Sequence, residues 1–272
     1  MDDRLQHRVQ RYGWDRAAAT YEQGWQKQLE PAQTLLLELA ALRPGERVLD
    51  LACGTGLVTF RAADAVGPRG EVIGTDISDA MIEQCTRAAG ERGLARVAFR
   101  RMEAEKLDFP DASFDAVLCG LGMMYVVDFE GSIREMHRVT KPGGRAVSAV
   151  WGRRDRCGWA DIFEIVQRRV NTDVCPMFFQ LGTGDLQKSL FESVGLTNVR
   201  SQGIVVSLDY DSGEAACGAA FAGGPVAMAY SRFDAATRES AHADYLQSID
   251  GHRRGAGYAI PGEFVVTIGS RG

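Results

Sequence analysis

The chain has 272 residues, 45% of them hydrophobic and 25% charged, with a formal net charge of −5. That length and apolar content suit one soluble α/β domain carrying an insertion better than two independent domains, because single sheets of this kind often exceed roughly 200 residues. The acidic balance and the lack of any long Lys or Arg run argue against a phosphate-backbone binder, so nucleic acid is not an expected partner.

In chain order, Met1-Asp2-Asp3-Arg4 is acidic and has no apolar core, so it does not read as a secretory signal. Residues 4–42 read as helical, with Leu35, Leu36, Leu39 and Leu42 at helical spacing, Pro31 punctuating the run and Pro44-Gly45 ending it. Strand-like and helix-like segments then alternate: strand 47–52, helix 57–66, strand 71–75, helix 79–93, strands 96–100 and 114–119, helix 130–139 and strand 144–151. Turn-rich connections separate them, including Gly67-Pro68-Arg69-Gly70 and Lys141-Pro142-Gly143-Gly144. Beyond Trp151 the pattern loosens into helices at 158–170 and 184–194, a strand near 199–208, Gly/Ala-rich helical material from 212 to 250 and a last strand at 263–268. The expected fold is a Rossmann-like, seven-stranded, mostly parallel sheet with helices on both faces. A single domain would divide into an N-terminal helical cap (1–45), a cofactor-binding core (46–152) and an acceptor-side half (153–272) with a helical lid insertion at about 212–258.

The longest apolar stretch, residues 116–127, is about a dozen residues, short of the roughly 18 needed to span a bilayer. A cytoplasmic enzyme, monomeric or homodimeric, is the expectation. The six cysteines (Cys53, Cys85, Cys119, Cys157, Cys175, Cys217) show no CxxC or Cys/His spacing, which speaks against a zinc site and a disulfide scaffold. No metal is expected.

The chemistry concentrates at Val48-Leu49-Asp50-Leu51-Ala52-Cys53-Gly54-Thr55-Gly56, a buried strand running into a glycine turn and then a helix. Such a turn sets backbone N–H groups and a helix N-terminus beside a ligand past the strand's carboxyl end. A GxG alone reads equally as a plain tight turn. Asp76, however, ends the next strand 20 residues after Gly56, where a carboxylate accepts both ribose hydroxyls of an adenosine. A nicotinamide fingerprint wants a third small residue at position 59, which is Thr. Asp50 would repel a pyrophosphate but suits ammonium and sulfonium charges. Electrostatics therefore favour S-adenosylmethionine over a dinucleotide.

With these residues in place, the sequence resembles the class I S-adenosylmethionine-dependent methyltransferases, in particular the small-molecule group (type 11) that includes ubiquinone- and menaquinone-pathway enzymes. VLDLACGTG (48–56), VIGTDIS (72–78) followed by Met81, MEAEKLDFPDASFDAV (102–117), LGMMYVVD (121–128) and EMHRVTKPGG (135–144) carry the resemblance in family order. It implies that Asp76 holds the ribose, that Ile77 and Met81 sandwich the adenine, and that Glu103 and Ala104 meet its amino edge. The family usually has Asp where Glu103 stands, and Leu107-Asp108-Phe109 replaces its common Leu-Pro-Phe. Cys119-Gly120-Leu121 would carry the methionine end on its backbone. Met123, Met124 and Tyr125 resemble a run facing the acceptor pocket, and Trp14 and Tyr21 resemble a helix that closes over the cofactor.

Methyl transfer is an in-line displacement, so the protein mainly aligns nucleophile, methyl and sulfur and excludes water. A base helps when the acceptor carries a proton on the nucleophilic atom. His242 and His252, in the lid region, are candidates, with Tyr21 a further one; solvated helix faces explain the two histidines at least as well. Trp151, at the carboxyl end of the fifth strand, is the expected acceptor contact. Cys157, Cys175 and Cys217 invite comparison with arsenite methyltransferases, although buried cysteine is also a common small hydrophobe. A nicotinamide oxidoreductase and a non-catalytic cofactor-binding partner protein are the competing classes.

Overall fold

The computed structural model describes residues 3–170 and 177–272. Helices α1 (Asp3–Ala17) and α2 (Tyr21–Ala40) precede β1 (Arg47–Leu51), α3 (Leu57–Val66), β2 (Glu71–Asp76), α4 (Asp79–Glu91), β3 (Val97–Arg101), β4 (Phe114–Gly120), α5 (Phe129–Val139) and β5 (Thr140–Trp151). After them come α6 (Ile162–Val170), α7 (Leu186–Ser193), β6 (Leu196–Tyr210), α8 (Gly213–Ala220), α9 (Gly224–Tyr230), α10 (Ala235–Ser248), β7 (Arg253–Arg254) and β8 (Gly257–Arg271).

The sheet runs β3-β2-β1-β4-β5-β8-β6, with the two-residue β7 pairing off β8. Neighbours among β1 to β5 are parallel, while β8 is antiparallel to both β5 and β6. This is the expected Rossmann-like architecture, with one added hairpin strand. The central strands are buried on both faces: Val48, Leu49, Ala116, Val117, Leu118, Ala146 and Val147 are all fully enclosed, which explains their near-continuous apolar runs. Strand order reverses between β1 and β4, and a ligand crevice opens beyond the carboxyl ends of strands at such a point.

Three details differ from the periodicity reading. The long N-terminal helix is two helices parted at Ala18–Thr20. Pro31 does not end α2; Pro31 and Lys27 are both exposed, so the Lys27 carbonyl that loses its intrahelical donor is open to water. Strand β5 begins at Thr140 rather than 144: Phe114 pairs with Thr140 and Ala116 with Arg145, so residues 141–144 bulge opposite Asp115. Gly143 takes φ +76 and Gly144 lies against the Asp115 carbonyl, which keeps the Pro-Gly-Gly segment inside the strand as an irregularity.

The Gly/Ala-rich stretch after β6 is close-packed helix. A Cβ on Gly24 of α2 would lie 2.9 Å from Ala219 Cα of α8, and one on Gly13 of α1 would lie 2.7 Å from the Gly224 carbonyl of α9. Trp25 Nε1 of α2 donates to the Ala219 carbonyl at 2.9 Å. The N-terminal helices and the helices between β6 and β8 therefore form one roof over the carboxyl ends of the strands. Gly13→Val should lower stability by about 1–3 kcal/mol, because backbone atoms cannot yield to the new side chain. Gly90→Ala, exposed with open space around it, should raise stability by about 0.5–1 kcal/mol. Thermal unfolding of the two variants checks both signs.

Candidate functional site

At the end of β1 the chain turns through Ala52 (φ +51), Gly54 (φ +55) and Gly56 (φ +89) into α3. A Cβ on Gly54 would meet nothing within 4 Å, so the backbone here faces open crevice. Ala52 and Leu121, at the ends of the adjacent β1 and β4, are both left-handed without being glycine. Each such residue costs about 1–2 kcal/mol, and strain of this kind clusters at ligand clamps. Their loops interlock: a Cβ on Gly122 would fall 2.3 Å from Ala52 Cβ.

Asp76 closes the turn from the neighbouring strand. It is buried, and its two carboxylate oxygens accept from the backbone N–H groups of Gly54 and Ser78, each at 2.9 Å. Burial pushes its carboxyl upward and these backbone donors oppose the shift. Asp50 lies beneath, also buried, accepting from Thr59 Oγ1 at 2.6 Å. Burial moves the Asp50 carboxyl up to about 7, with the Asp76 charge adding to the rise and the Thr59 hydroxyl working against it. The Thr that breaks a dinucleotide fingerprint thus serves as this acid's hydrogen-bond donor.

These groups line a cleft of about 920 Å³. Of the residues expected at the cofactor, Asp50, Ala52, Cys53, Gly54, Asp76 and Ile77 line it. So do Met81, Glu103, Ala104 and Leu121, and Tyr21, Trp14 and Tyr125 close its upper side. Gly56 and Cys119 do not. The Gly56 position faces the Phe60 ring, and the Cys119 thiol is sealed behind β4, where burial drives it up to about 12. Cys53 is buried beside Cys85, whose thiol donates to the Gly54 carbonyl at 2.9 Å. Glu103 and Ala104 are held by the next loop, where Arg138 donates to the carbonyls of Leu107 and Phe109 and Glu135 accepts from Leu107 N–H. That brace stands where Leu-Asp-Phe replaces a proline-containing sequence.

Helix α1 forms the outer wall, which periodicity did not reveal. His7 Nε2 sits 3.1 Å from Glu105 Oε1, Arg11 pairs with Asp79, and Asp15 accepts from Ser78 Oγ at 2.6 Å. His7, Gln10 and Glu105 line the cleft through these ties; only their placement opposite the β2–α4 turn exposes that role.

A second cavity of about 490 Å³ adjoins the first and shares Tyr21, Leu121 and Tyr125 with it. Trp151 lines it, packed on Phe264 at 4.1 Å between ring centroids. Trp25, Trp159, Phe163 and Val226 complete much of its wall and were not foreseen, since Trp and Phe spacing on separate helices gives no sign of convergence. Met124 is buried in the core and faces neither cavity.

The histidine candidates are corrected. His242 stacks on Tyr230, its Nε2 2.9 Å from the Tyr230 hydroxyl, and His252 lies against Gly158; neither lines either cavity. His242 is part of the packing among the helices between β6 and β8, and His252 lies in the short turn before β7. Tyr21 does line both cavities, and burial raises its phenol, so it is a protonated hydroxyl and not a ready base. Cys157 and Cys217 are buried in separate places, near the carbonyls of Glu263 and His242 respectively. Burial raises their thiols to about 12 and about 11, which disfavours the thiolate a metalloid needs. Cys175 lies outside the described residues. Among the described residues no cluster of His, Cys, Asp and Glu is set to hold a metal, and no helix is long and apolar enough to cross a membrane.

Residues 42–164 match a methyltransferase domain family. This part of the chain is a class I methyltransferase domain. Its cofactor is S-adenosylmethionine. Over 110 residues, 40% of this chain and 43% of the relative, it is 46% identical to the ubiquinone/menaquinone biosynthesis C-methyltransferase UbiE of Ectopseudomonas mendocina. Over 106 residues it is 44% identical to the demethylmenaquinone methyltransferase of Geobacillus kaustophilus, covering 39% of this chain and 45% of that one. The matches thus span less than half the length of these curated relatives. In fold, the chain is similar to the YcgJ protein of Bacillus subtilis, with TM-score 0.62 at 21% identity over 89% of this chain and 98% of the other. The cyclase SpnF also shares the fold, with TM-score 0.57 at 22% identity over 91% of this chain and 82% of that one. A cyclase among the neighbours shows that the fold alone does not select the reaction.

The cleft of the methyltransferase domain fits S-adenosylmethionine. Two buried polar atoms on its wall, Gln10 Oε1 and Thr55 Oγ1, have no partner, and the cofactor carries donors and acceptors that would satisfy them. The acidic floor of Asp50 and Asp76 suits its positive charges, and the open face of Gly54 admits close approach to the backbone. A cation bound near Asp50 favours its ionised form, so below about pH 7 binding must displace a proton. Affinity for S-adenosylmethionine should therefore rise with pH from about 5.5 toward 8, by up to about tenfold per unit below the Asp50 pKa. Asp50→Asn should remove that component. Calorimetric titration of both proteins across this range reads the difference.

Proposed function

We propose that the chain transfers a methyl group from S-adenosylmethionine to an uncharged small-molecule acceptor bound in the second cavity. The observation that carries this reading is the wall of Tyr21, Leu121 and Tyr125 common to both cavities, since an in-line displacement requires a donor site and an acceptor site that adjoin. Among the described residues, the cavity's lining side chains carry no charged group, which supports an apolar acceptor. The likeness to quinone-pathway C-methyltransferases supports an aromatic one bearing oxygen.

When bound, the cofactor supplies an activated methyl on a sulfonium. In this reading Asp76 takes the ribose hydroxyls, Ile77 and Met81 hold the adenine faces, Glu103 and Ala104 meet its amino edge, and Asp50 balances the positive end. Ala52, Cys53 and Gly54 provide the backbone cradle, with Leu121 opposite. Trp14, Tyr21 and Tyr125, in edge-on contact with ring centroids 4.9–5.5 Å apart, exclude water above the transferring group. Trp151 holds the acceptor. Among the described residues the second cavity's lining has no His and no carboxylate, which favours an uncharged acceptor that is already nucleophilic, such as an electron-rich aromatic carbon. The reading includes the cap at 1–45, the cofactor half at 46–152, the acceptor half at 153–272 with a lid at about 212–258, and a cytoplasmic setting.

Calorimetry should show micromolar binding of S-adenosylmethionine. Asp76→Ala should weaken it at least about 100-fold, because it removes two charge-assisted bonds to the turn together with the ribose contact. No binding at millimolar cofactor would end the proposal. Trp151→Ala should leave cofactor affinity within about twofold while raising the acceptor KM by about tenfold or more, given the aromatic area lost from the cavity wall.

A further inference from the structure

One residue lining the second cavity carries a buried polar atom without a partner among the described residues. Trp159, just before α6, is 5% exposed, and its Nε1 is a buried donor with no hydrogen-bond partner. Its ring is caged by Trp151 at 4.7 Å, Phe178 at 5.7 Å and Trp25 at 5.8 Å between centroids. Leaving a buried N–H unsatisfied costs about 1–3 kcal/mol. Trp25 shows the ordinary solution in the same cage, donating its own Nε1–H to the Ala219 carbonyl. Trp159 has no such acceptor among the described residues, and it lines the same cavity as the wall shared with the cofactor cleft.

Resting on the methyl-transfer reading above, we propose that the indole N–H of Trp159 selects the acceptor by donating a hydrogen bond to an oxygen on an otherwise apolar, flat molecule. The uncharged aromatic lining admits a planar hydrocarbon skeleton and penalises a charged one by desolvation. The unpaired donor then distinguishes oxygenated from plain skeletons, because a site built to hydrogen-bond an atom loses that bond with an analogue lacking it. Trp159 is thus a specificity residue and takes no part in moving the methyl group.

The test uses 1-tetralone and tetralin, which share a bicyclic skeleton and differ by one carbonyl that only accepts. Binding of each is measured by fluorescence titration of the full chain in saturating S-adenosylhomocysteine. Wild type should bind 1-tetralone about tenfold more tightly than tetralin, and Trp159→Phe should bind the two alike. A packing role alone would weaken both probes equally and leave their ratio unchanged. That result, or a wild-type ratio near one, overturns the proposal. A second reading needs no variant: in 15N-labelled wild type the Trp159 indole resonance should shift downfield with 1-tetralone and not with tetralin, and an unshifted resonance also overturns it. A chain that binds S-adenosylhomocysteine but neither probe refutes the role of Trp159 alone, whereas one that binds no S-adenosylhomocysteine refutes the methyl-transfer reading as well.

Discussion

The architecture of the crevice depends on a buried carboxylate, Asp76, bonded to the backbone N–H groups of Gly54 and Ser78. Those two bonds join the turn after β1 to the turn after β2 and fix the spacing of the strand ends. Burying an anion without such donors would be prohibitively costly, so the turn and the acid are mutually dependent. Asp50, one layer below, is held by Thr59 alone. It is therefore the acid whose ionisation responds most to what binds above it.

Over this floor the roof is made of two distant parts of the chain. Helices α1 and α2 meet α8 and α9 at Gly13, Gly24, Ala219 and Gly224, where the absence of bulk lets backbones touch. That crossing brings Trp25 and the segment around Gly223 to the same cavity as Trp151 and Trp159. The outer wall of the cofactor cleft is tied down separately, through Asp15 on the α4 N-terminus and His7 on Glu105. The two cavities thus have different walls, one polar and acidic, the other aromatic, joined at Tyr21, Leu121 and Tyr125. A donor with charge and an acceptor without it suit that division.

Much of this was legible in the residues. The alternation of apolar runs with helical segments placed β1 to β5 to within a few residues, because strands buried on both faces must be continuously apolar. That the glycine turn and Asp76 share one cleft was readable because their spacing reflects one βα unit, a local feature. Asp50 was recognised as an acid facing the crevice, but its partnership with Thr59 was not: the two lie nine positions apart on a strand and the following helix. The histidines misled because side-chain chemistry without position cannot separate a base from a packed ring, as the stacking of His242 on Tyr230 shows.

The sequence by itself determined the elements whose signals are local: the parallel half of the sheet, the strained glycine turn, the acid that ends β2 and the loop carrying Glu103 and Ala104. Tertiary structure alone decided the roof, the second cavity and the unpaired Trp159 donor. Their residues come from α1, α2, the segment before α6 and the helices between β6 and β8, more than a hundred positions apart in places. Periodicity reports which face of an element is apolar, whereas which faces meet depends on the close approach of backbones at glycine and alanine. That approach is a property of pairs of elements, and no single segment carries its signature.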